Sequence, residues 1–330
     1  MYWLVEDEEQ LNVLINSGYK KAFIEVIPYN DTIHPVLNHV SLVYIRPLEA
    51  SKGFMVCIAH SEATNELITC KTSIEKLINK FEVLYCRDKK EVLHYFPNKT
   101  LYDITPPPHT YIRPTTQTHD LYYRKHQDNS KLNLIIPIVK HYELCETIFG
   151  DLKANINIEK TKYNEFFNSR VSVVFNAIER SGIRIHNDTF SEYFHAVDGE
   201  YVHTQFNLKT TTTRPSNKFK NVNYAALNKE NGCRKSFIPR NNRFVEIDIS
   251  AYHPSLAARL TNYEFTTNDI HSHFATLYNV DYKKSKELTF KQLYGGVFES
   301  YKKLEFFQGI EKYVGDNWKK FQSDGFIECP

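Results

Sequence analysis

Three groups of residues in the C-terminal half have types and spacings that could do chemistry. The first is the acid in "VEIDISAYHPSLAARL". Asp248 stands between Ile247 and Ile249, after Phe244 and Val245, where the pattern predicts a buried strand. A lone carboxylate there is costly unless it is compensated. With the Ile249 carbonyl it makes a hard-oxygen pair suited to Mg²⁺, which takes one or two carboxylates, waters and substrate phosphates. The second group lies in "DYKKSKELTFKQLYGG", where Lys286, Phe290 and Tyr294 recur every four residues. On a helix such positions drift by only about 40° per step, so they share one stripe. That stripe would present a cation for phosphates, with Lys283 on the same side, then two rings capped by Gly295 and Gly296. The third is "TTTTRPSNKFKNVNYAALNKENGCRKSFIP", which crowds hydroxyls and amides around Arg214, Lys218, Lys220, Arg234 and Lys235. These are the groups that contact nucleic-acid backbones. Each group alone has an ordinary reading: a helix N-cap, a solvated lysine face, a long surface loop.

The elements that must position these residues follow from periodicity. Proline at 254 and the Leu256/Leu260 spacing predict a short turn from the Asp248 strand into a helix, with further helices to the end of the chain. Upstream, "KAFIEVIPY", "VSLVYIRPL" and "GFMVCIAHS" read as strands and "SIEKLINKF" as a helix, which makes residues 1–115 a compact α/β domain. The proline-rich text from Asp103 to Asp120 reads as a linker. "LNLIIPIVKHYELCETIF" and "YNEFFNSRVSVVFNAIERSGIRI" have helical spacing, with Gly182 as a stop, and place helices in 116–200. In the last helical text, Ile310, Tyr313, Val314, Trp318 and Phe321 fall on one face that needs a partner surface.

Bulk properties bound the answer. With 330 residues, 42% hydrophobic and 24% charged, the chain can build about two cored domains. A net charge of +2 neither demands nor forbids nucleic acid, because a basic groove can sit inside a neutral total. Six cysteines without a C-x-x-C pair argue for free thiols in a reducing compartment and against a zinc site. No secretory leader and no membrane-length apolar run are present, so the expectation is a cytoplasmic protein, in the host cytoplasm for a phage-encoded chain.

Taken in order, the groups resemble the polymerase core of family A DNA polymerases, the bacterial DNA polymerase I type with its phage members. "TTTTRPSN…NVNYAAL…CRKSFIP" is similar to the family's "TGR…PNLQNIP…IR-x-x-F". "VEIDISAYHPSLAARL" resembles its motif A, "NDIHSHFATLYNV" its "DIH-x-x-T-A-x-x-x-F" helix, and "KKSKELTFKQLYGG" its motif B. The resemblance covers about 130 residues and implies an exonuclease-like (RNase H-like) α/β domain, thumb-like helices, and a palm and fingers over 201–330. It implies template-directed DNA synthesis with two Mg²⁺ ions, primer-template DNA and a dNTP as partners, and no membrane. Asp248 and the Ile249 carbonyl would hold metal. Lys286 would contact the nucleotide's phosphates with help from His271, Phe290 would pack near the sugar, and Tyr294 would sit at the nascent base pair with Gly295 leaving room for template. Arg214, Asn223 and Arg234 would hold DNA.

Several positions depart from the family. Tyr282 replaces the arginine that opens motif B, so Lys283 would supply that charge, and Thr213 replaces the glycine of "TGR". His253 stands where the family has a glutamate that helps exclude ribonucleotides; a histidine would act by bulk. No "HDE" like the family's motif C follows "KKFQSDGFIECP", so the second metal aspartate is missing. The isolated chain is therefore expected to be inactive, as part of a split or truncated polymerase whose second chain carries motif C. In the N-terminal domain the first exonuclease acid is replaced by Phe23, leaving Glu25, with Asp88, Glu91 and Asp103 as candidates for a rearranged site; a structural or DNA-guiding role is expected. Two rivals are a single-subunit RNA polymerase, against which Phe290 and "TTTTRPSN" argue, and a non-catalytic DNA- or partner-binding remnant.

Overall fold

The computed structural model describes residues 2–63, 71–97, 100–105, 122–157, 165–210, 214–217, 219–220, 222–325 and 327. Of the sequence candidates, Thr213, Lys218, Cys70, Cys329 and nearly all of the proline-rich linker lie outside them. The chain divides into two compact units, Met1–Phe244 and Val245–Pro330. The boundary therefore falls after residue 244, and residues 201–244 pack with the first unit; the sequence had placed boundaries at 115 and 200.

The first unit is built on a mixed sheet. Strands β1 (Trp3–Val5), β2 (Lys21–Pro28), β3 (Val40–Pro47), β4 (Phe54–Cys57), β5 (Val83–Cys86) and β6 (Leu101–Asp103) lie in the order β1-β4-β3-β2-β5-β6. Only β3 runs against the others: β2 and β4 flank it antiparallel, while β1 pairs with β4, β5 with β2 and β6 with β5 in parallel. Parallel neighbours need crossovers. These are supplied by helix α1 (Glu8–Ile15) before β2, α2 (Lys71–Lys80) before β5 and α3 (Lys89–Tyr95) before β6. The three expected strand texts are β2, β3 and β4, and "SIEKLINKF" falls in α2.

Strand alternation sends the β2 side chains to two cores. Ala22, Ile24 and Val26 pack with Leu11 and Leu14 of α1 and Leu77 and Ile78 of α2. Phe23 and Ile27 face the other way, onto helix α4 (Ile138–Leu152), with Leu144, Cys145 and Ile148. Phe23 is fully buried, its ring 6.4 Å from Tyr44 and 5.6 Å from Phe149. The position of the expected first acid is thus occupied by a core ring.

Helix α5 (Ser172–Ser181) follows a π-helical turn at Phe167–Val171 and stops at Gly182, whose φ of +64° is open to glycine. Its buried residues are polar, Ser172, Asn176 and Glu179, while Val173, Val174 and Ile178 are 44–52% exposed. That reverses the expected amphipathic pattern, and the reason is the ion-pair seam described below. Helix α6 (Asn187–Tyr193) and two ribbons complete the unit. In them β7 (Ile183–Arg184) pairs with β8 (Tyr201–Val202), and β9 (Phe206–Asn207) pairs with β10 (Ser216–Asn217).

The second unit is helical: α7 (Tyr252–Thr261), α8 (Ile270–Tyr278), α9 (Tyr282–Gly295) and α10 (Glu305–Asp324). Asp269 caps α8 by accepting from the His271 and Ser272 amides, and Asp281 caps α9 by accepting from the Lys284 amide. Ala258, Phe274, Tyr278, Phe306 and Phe307 form its core. The expected strand around Asp248 is absent: residues 243–249 form no regular element, and each is exposed. A strand needs a neighbour to exchange hydrogen bonds with, and this unit has no other strand among its described residues. The predicted buried carboxylate is therefore solvated. On α10, Val314, Trp318 and Phe321 remain 58%, 56% and 41% exposed, with only Phe306 and Phe307 of that helix buried.

Among the described residues, Cys57, Cys86, Cys145 and Cys233 are free thiols, and no helix is long and apolar enough to cross a membrane.

Candidate functional site

The first unit gathers carboxylates at the carboxyl ends of β2, β5 and β6. Glu25 lies on β2 and is buried; Asp88 caps α3, accepting from the Glu91 amide at 3.1 Å; Asp103 ends β6 and is buried. With Glu91 these are the residues the sequence offered as a rearranged hydrolytic centre. Each is engaged by a donor of the chain itself. Arg87, which follows β5, donates from Nε and Nη2 to Glu25 Oε1 at 3.1 and 3.0 Å, and from Nη2 to Glu91 Oε2 at 3.1 Å. The Lys209 ammonium reaches Asp103 Oδ2 at 3.0 Å and Oδ1 at 3.1 Å, and donates to the Arg87 carbonyl at 2.8 Å. Asp103 also accepts from the Lys89 and Thr105 amides.

Electrostatics follow this geometry. Burial alone would raise the Asp88 carboxyl, but Lys90, Lys209 and Arg87 outweigh it and hold the group well below the usual carboxylate range. Burial likewise opposes charge on Arg87 and Lys90. The acids Glu25, Glu91 and Asp88 around the one, and Asp88 and Glu179 around the other, overcome it and raise both. Cations of the chain itself therefore lie against Glu25, Glu91 and Asp103. No group of three or more His, Cys, Asp or Glu among the described residues is arranged to hold a metal ion.

A second, deeper node lies beside it. Glu179 of α5 has no exposed surface and accepts from Lys90 Nζ at 2.8 and 3.0 Å, from His94 Nε2 at 2.6 Å and from the Phe206 amide. Asn176, one turn earlier, donates to the Lys90 carbonyl, and Asn168 accepts from the Asp103 amide and the Lys89 ammonium. These contacts make α5 turn its polar stripe inward. Glu179, Lys90, His94 and Lys209 are absent from the sequence candidates. His34 closes the node, its Nε2 donating to the Thr204 carbonyl at 3.0 Å and its Nδ1 accepting from the Val36 amide, 5.6 Å from the His94 ring and 5.2 Å from that of His203.

The polymerase-type candidates divide between the units. Arg214, Asn223 and Arg234 belong to the first unit, and all three are exposed. Asn223 Oδ1 caps a short turn at Tyr224–Ala226, and the Arg234 guanidinium donates to the Leu227 carbonyl. The second unit carries the rest. Along α9, exposed Tyr282, exposed Lys286, half-buried Phe290 and exposed Tyr294 follow one another at four-residue steps, and Lys283 is exposed beside them. Their rings join those of neighbouring helices: Tyr282 to His271 at 5.7 Å, His271 to Phe290 at 6.1 Å, Phe290 parallel to Tyr294 at 6.2 Å, and Tyr294 to His253 at 5.6 Å. The His253 contact brings the turn after Asp248 to the end of α9. A Cβ on Gly295 would meet nothing within 4 Å, so that end is open. His271 is buried, and burial with the nearby Lys286 charge lowers its pKa. The same burial and charge disfavour the protonated form of its ring.

Among the described residues, Asp248 and the Ile249 carbonyl have no hydrogen-bond partner. One exposed carboxylate and one free carbonyl suit a single Mg²⁺ that brings its own waters and phosphates. They are too few for a two-ion cage of protein ligands.

Two predictions test the first unit. Removing one partner of a buried ion pair leaves the other uncompensated, so Glu179→Ala should lower unfolding free energy by about 3–5 kcal/mol. Glu179→Leu combined with Lys90→Met should recover much of that loss in urea titrations; equal losses for single and double variants would contradict the assignment. Burial pushes His34 down to about 4 from 6.5, partly offset by its bond to the Thr204 carbonyl. A depressed histidine contributes stability that is complete above pH 6.5 and is lost as pH falls from 6.5 toward 4. That contribution is on the order of 3 kcal/mol, and His34→Gln should flatten this part of the stability–pH curve; an unchanged slope would refute the prediction.

No family model matches the chain, and no curated protein matches it. Among solved structures it is similar to Escherichia coli RNase D, described as an exoribonuclease involved in structured RNA processing, at 10% identity and a TM-score of 0.26 over 48% of each chain. It is also similar to the EXO domain of Aedes aegypti Nibbler, at 9% identity and a TM-score of 0.32 over 52% of this chain and 95% of that one. The chain thus spans about half the length of RNase D. Likenesses this weak decide neither fold nor function.

Proposed function

We propose that the protein is a nucleic-acid-binding member of the family A polymerase type, whose second unit receives a nucleoside triphosphate and stacked bases and whose first unit guides nucleic acid without hydrolysing it. The observation that carries this reading is the line of rings from Tyr282 through His271, Phe290 and Tyr294 to His253, bordered by Lys283 and Lys286. Aromatic faces accept any base, each stack contributing about 1–3 kcal/mol, and lysine is a point charge for phosphate. The order of these residues agrees with motifs A and B of that family.

Within this reading Lys286 binds the triphosphate, Phe290 and Tyr294 position sugar and base, and Asp248 with the Ile249 carbonyl receives the Mg²⁺ that accompanies the nucleotide. Arg214, Asn223 and Arg234 bind the primer-template backbone. The Mg²⁺ would supply charge neutralisation at the phosphates, held by one protein carboxylate and one carbonyl. Two-ion synthesis would require a second acid beside Asp248. The non-catalytic reading is favoured for the isolated protein by the solvent exposure of Asp248 and the ion-paired state of Glu25, Glu91 and Asp103.

Fluorescent dNTP titrations with Mg²⁺ test the assignment. Lys286→Ala should weaken nucleotide binding about tenfold, a loss of about 1.4 kcal/mol. Tyr294→Ala should weaken primer-template binding while leaving the fold intact. The reading fails if the protein binds neither ligand, or if both variants bind like the parent. Robust primer extension by the purified chain, abolished by Asp248→Ala, would overturn its non-catalytic part.

A further inference from the structure

We infer that the outward face of α5, with the π-helical turn before it, is a docking surface for an acidic amphipathic helix of another protein. The ion-pair seam turns Ser172, Asn176 and Glu179 inward, so the opposite side of the helix carries Val173, Val174, Ala177 and Ile178 into solvent. Phe166, at the start of the turn, is 60% exposed. Single exposed apolar side chains are ordinary, whereas a contiguous group rimmed by charge marks an interaction site. Val174 and Ile178 lie one turn apart, as do Val173 and Ala177, so they make two adjacent rows of one patch. The chain cannot bury this patch by rolling α5 over, because that would strip Lys90 and His94 of their Glu179 partner.

The charges say which partner. From Phe166 to Gly182 the only acid is Glu179, which is buried and held by Lys90 and His94. Arg170 and Arg180 are exposed and make no ion pair among the described residues. Exposed Arg240 adds a third cation at the C-terminal end, where it donates to the Ser181 carbonyl. Arg170 and Arg180 bracket the apolar rows, separated along the axis by about 15 Å. A second copy is a poor occupant: parallel pairing of α5 sets each arginine against itself, and antiparallel pairing sets Arg170 against Arg180. Nucleic-acid backbones would engage the arginines and gain nothing from Val173, Val174 and Ile178. Helices that lie in lipid surfaces carry Trp, Phe and Leu opposite many Lys and Arg, whereas α5 presents two valines, an alanine and an isoleucine. A partner helix with Leu or Ile at three- and four-residue steps, and an Asp or Glu at each end about three turns apart, satisfies both the patch and its rim. None of these residues is given to nucleotide or primer-template above, so the inference stands apart from that reading.

Fluorescence anisotropy on the full chain tests it, with a labelled helical peptide carrying Leu at those steps and Glu at each end as the probe. The parent should bind this peptide in the micromolar range. Val174→Ser, a change at an exposed position, should weaken binding about tenfold while thermal unfolding stays unchanged. Arg170→Glu combined with Arg180→Glu should abolish binding of the Glu peptide and create binding of the same peptide with Lys in place of Glu. Nucleotide binding, which reads the other proposal, should be the same in all these variants. The inference is overturned if the Glu peptide does not bind, if Val174→Ser binds it like the parent, or if the Lys peptide binds the parent equally well. It is also overturned if phosphatidylserine vesicles retain the parent and release Val174→Ser, or if raising the concentration of unlabelled parent masks the face by self-association.

Discussion

Charge burial governs the first unit. Glu25, Asp103 and Glu179 are carboxylates in a protein interior, where an unpaired charge is prohibitive. Each is tolerable because a cation reaches it: Arg87 for Glu25, Lys209 for Asp103, Lys90 for Glu179. The cations come from separate segments, so neutralisation also sets the packing. Lys90 and His94 on α3 draw the polar stripe of α5 inward, the Phe206 amide ties β9 to the same carboxylate, and Lys209 holds the residues after β9 against the ends of β5 and β6. The exposed valines and isoleucine of α5 follow from this arrangement.

The same requirement is met differently in the two units. In the first, Glu25 and Glu91 share the Arg87 guanidinium and Asp103 pairs with Lys209, while Asp88 accepts from the Glu91 amide. In the second, Asp248 is solvated and unmatched while cations and rings line α9 nearby in sequence order. The acids of the first unit are held by its own cations and amides, whereas Asp248, Lys286 and Tyr294 of the second are exposed.

Much of the fold was legible from alternation. Ala22 to Ile27, Val40 to Ile45 and Phe54 to Cys57 alternate between two apolar cores, and their texts read as strands. The four-residue recurrence of Lys286, Phe290 and Tyr294 made α9 and its stripe readable. The strand at Asp248 was misread because periodicity reports a side-chain pattern but not whether a neighbour exists to pair with. Glu179 was invisible for a related reason. In "FNAIERSGI" a glutamate beside an arginine looks like a solvated helix face, and only tertiary contact with Lys90 and His94 reverses it. A buried polar stripe at Ser172, Asn176 and Glu179 has helical spacing, yet spacing alone cannot say which face turns inward. Lys209 offered no local signal, since it partners Asp103 across more than a hundred residues.

The central claim is that the acids of the α/β unit are held by the chain's own cations. Mn²⁺ titration of the intact protein, followed by electron paramagnetic resonance, tests it most directly. The account predicts no stoichiometric Mn²⁺ bound by the parent in the absence of nucleotide, and no change in the free-ion signal on Asp103→Asn. Tight binding of one or two ions that disappears in Asp103→Asn would contradict it.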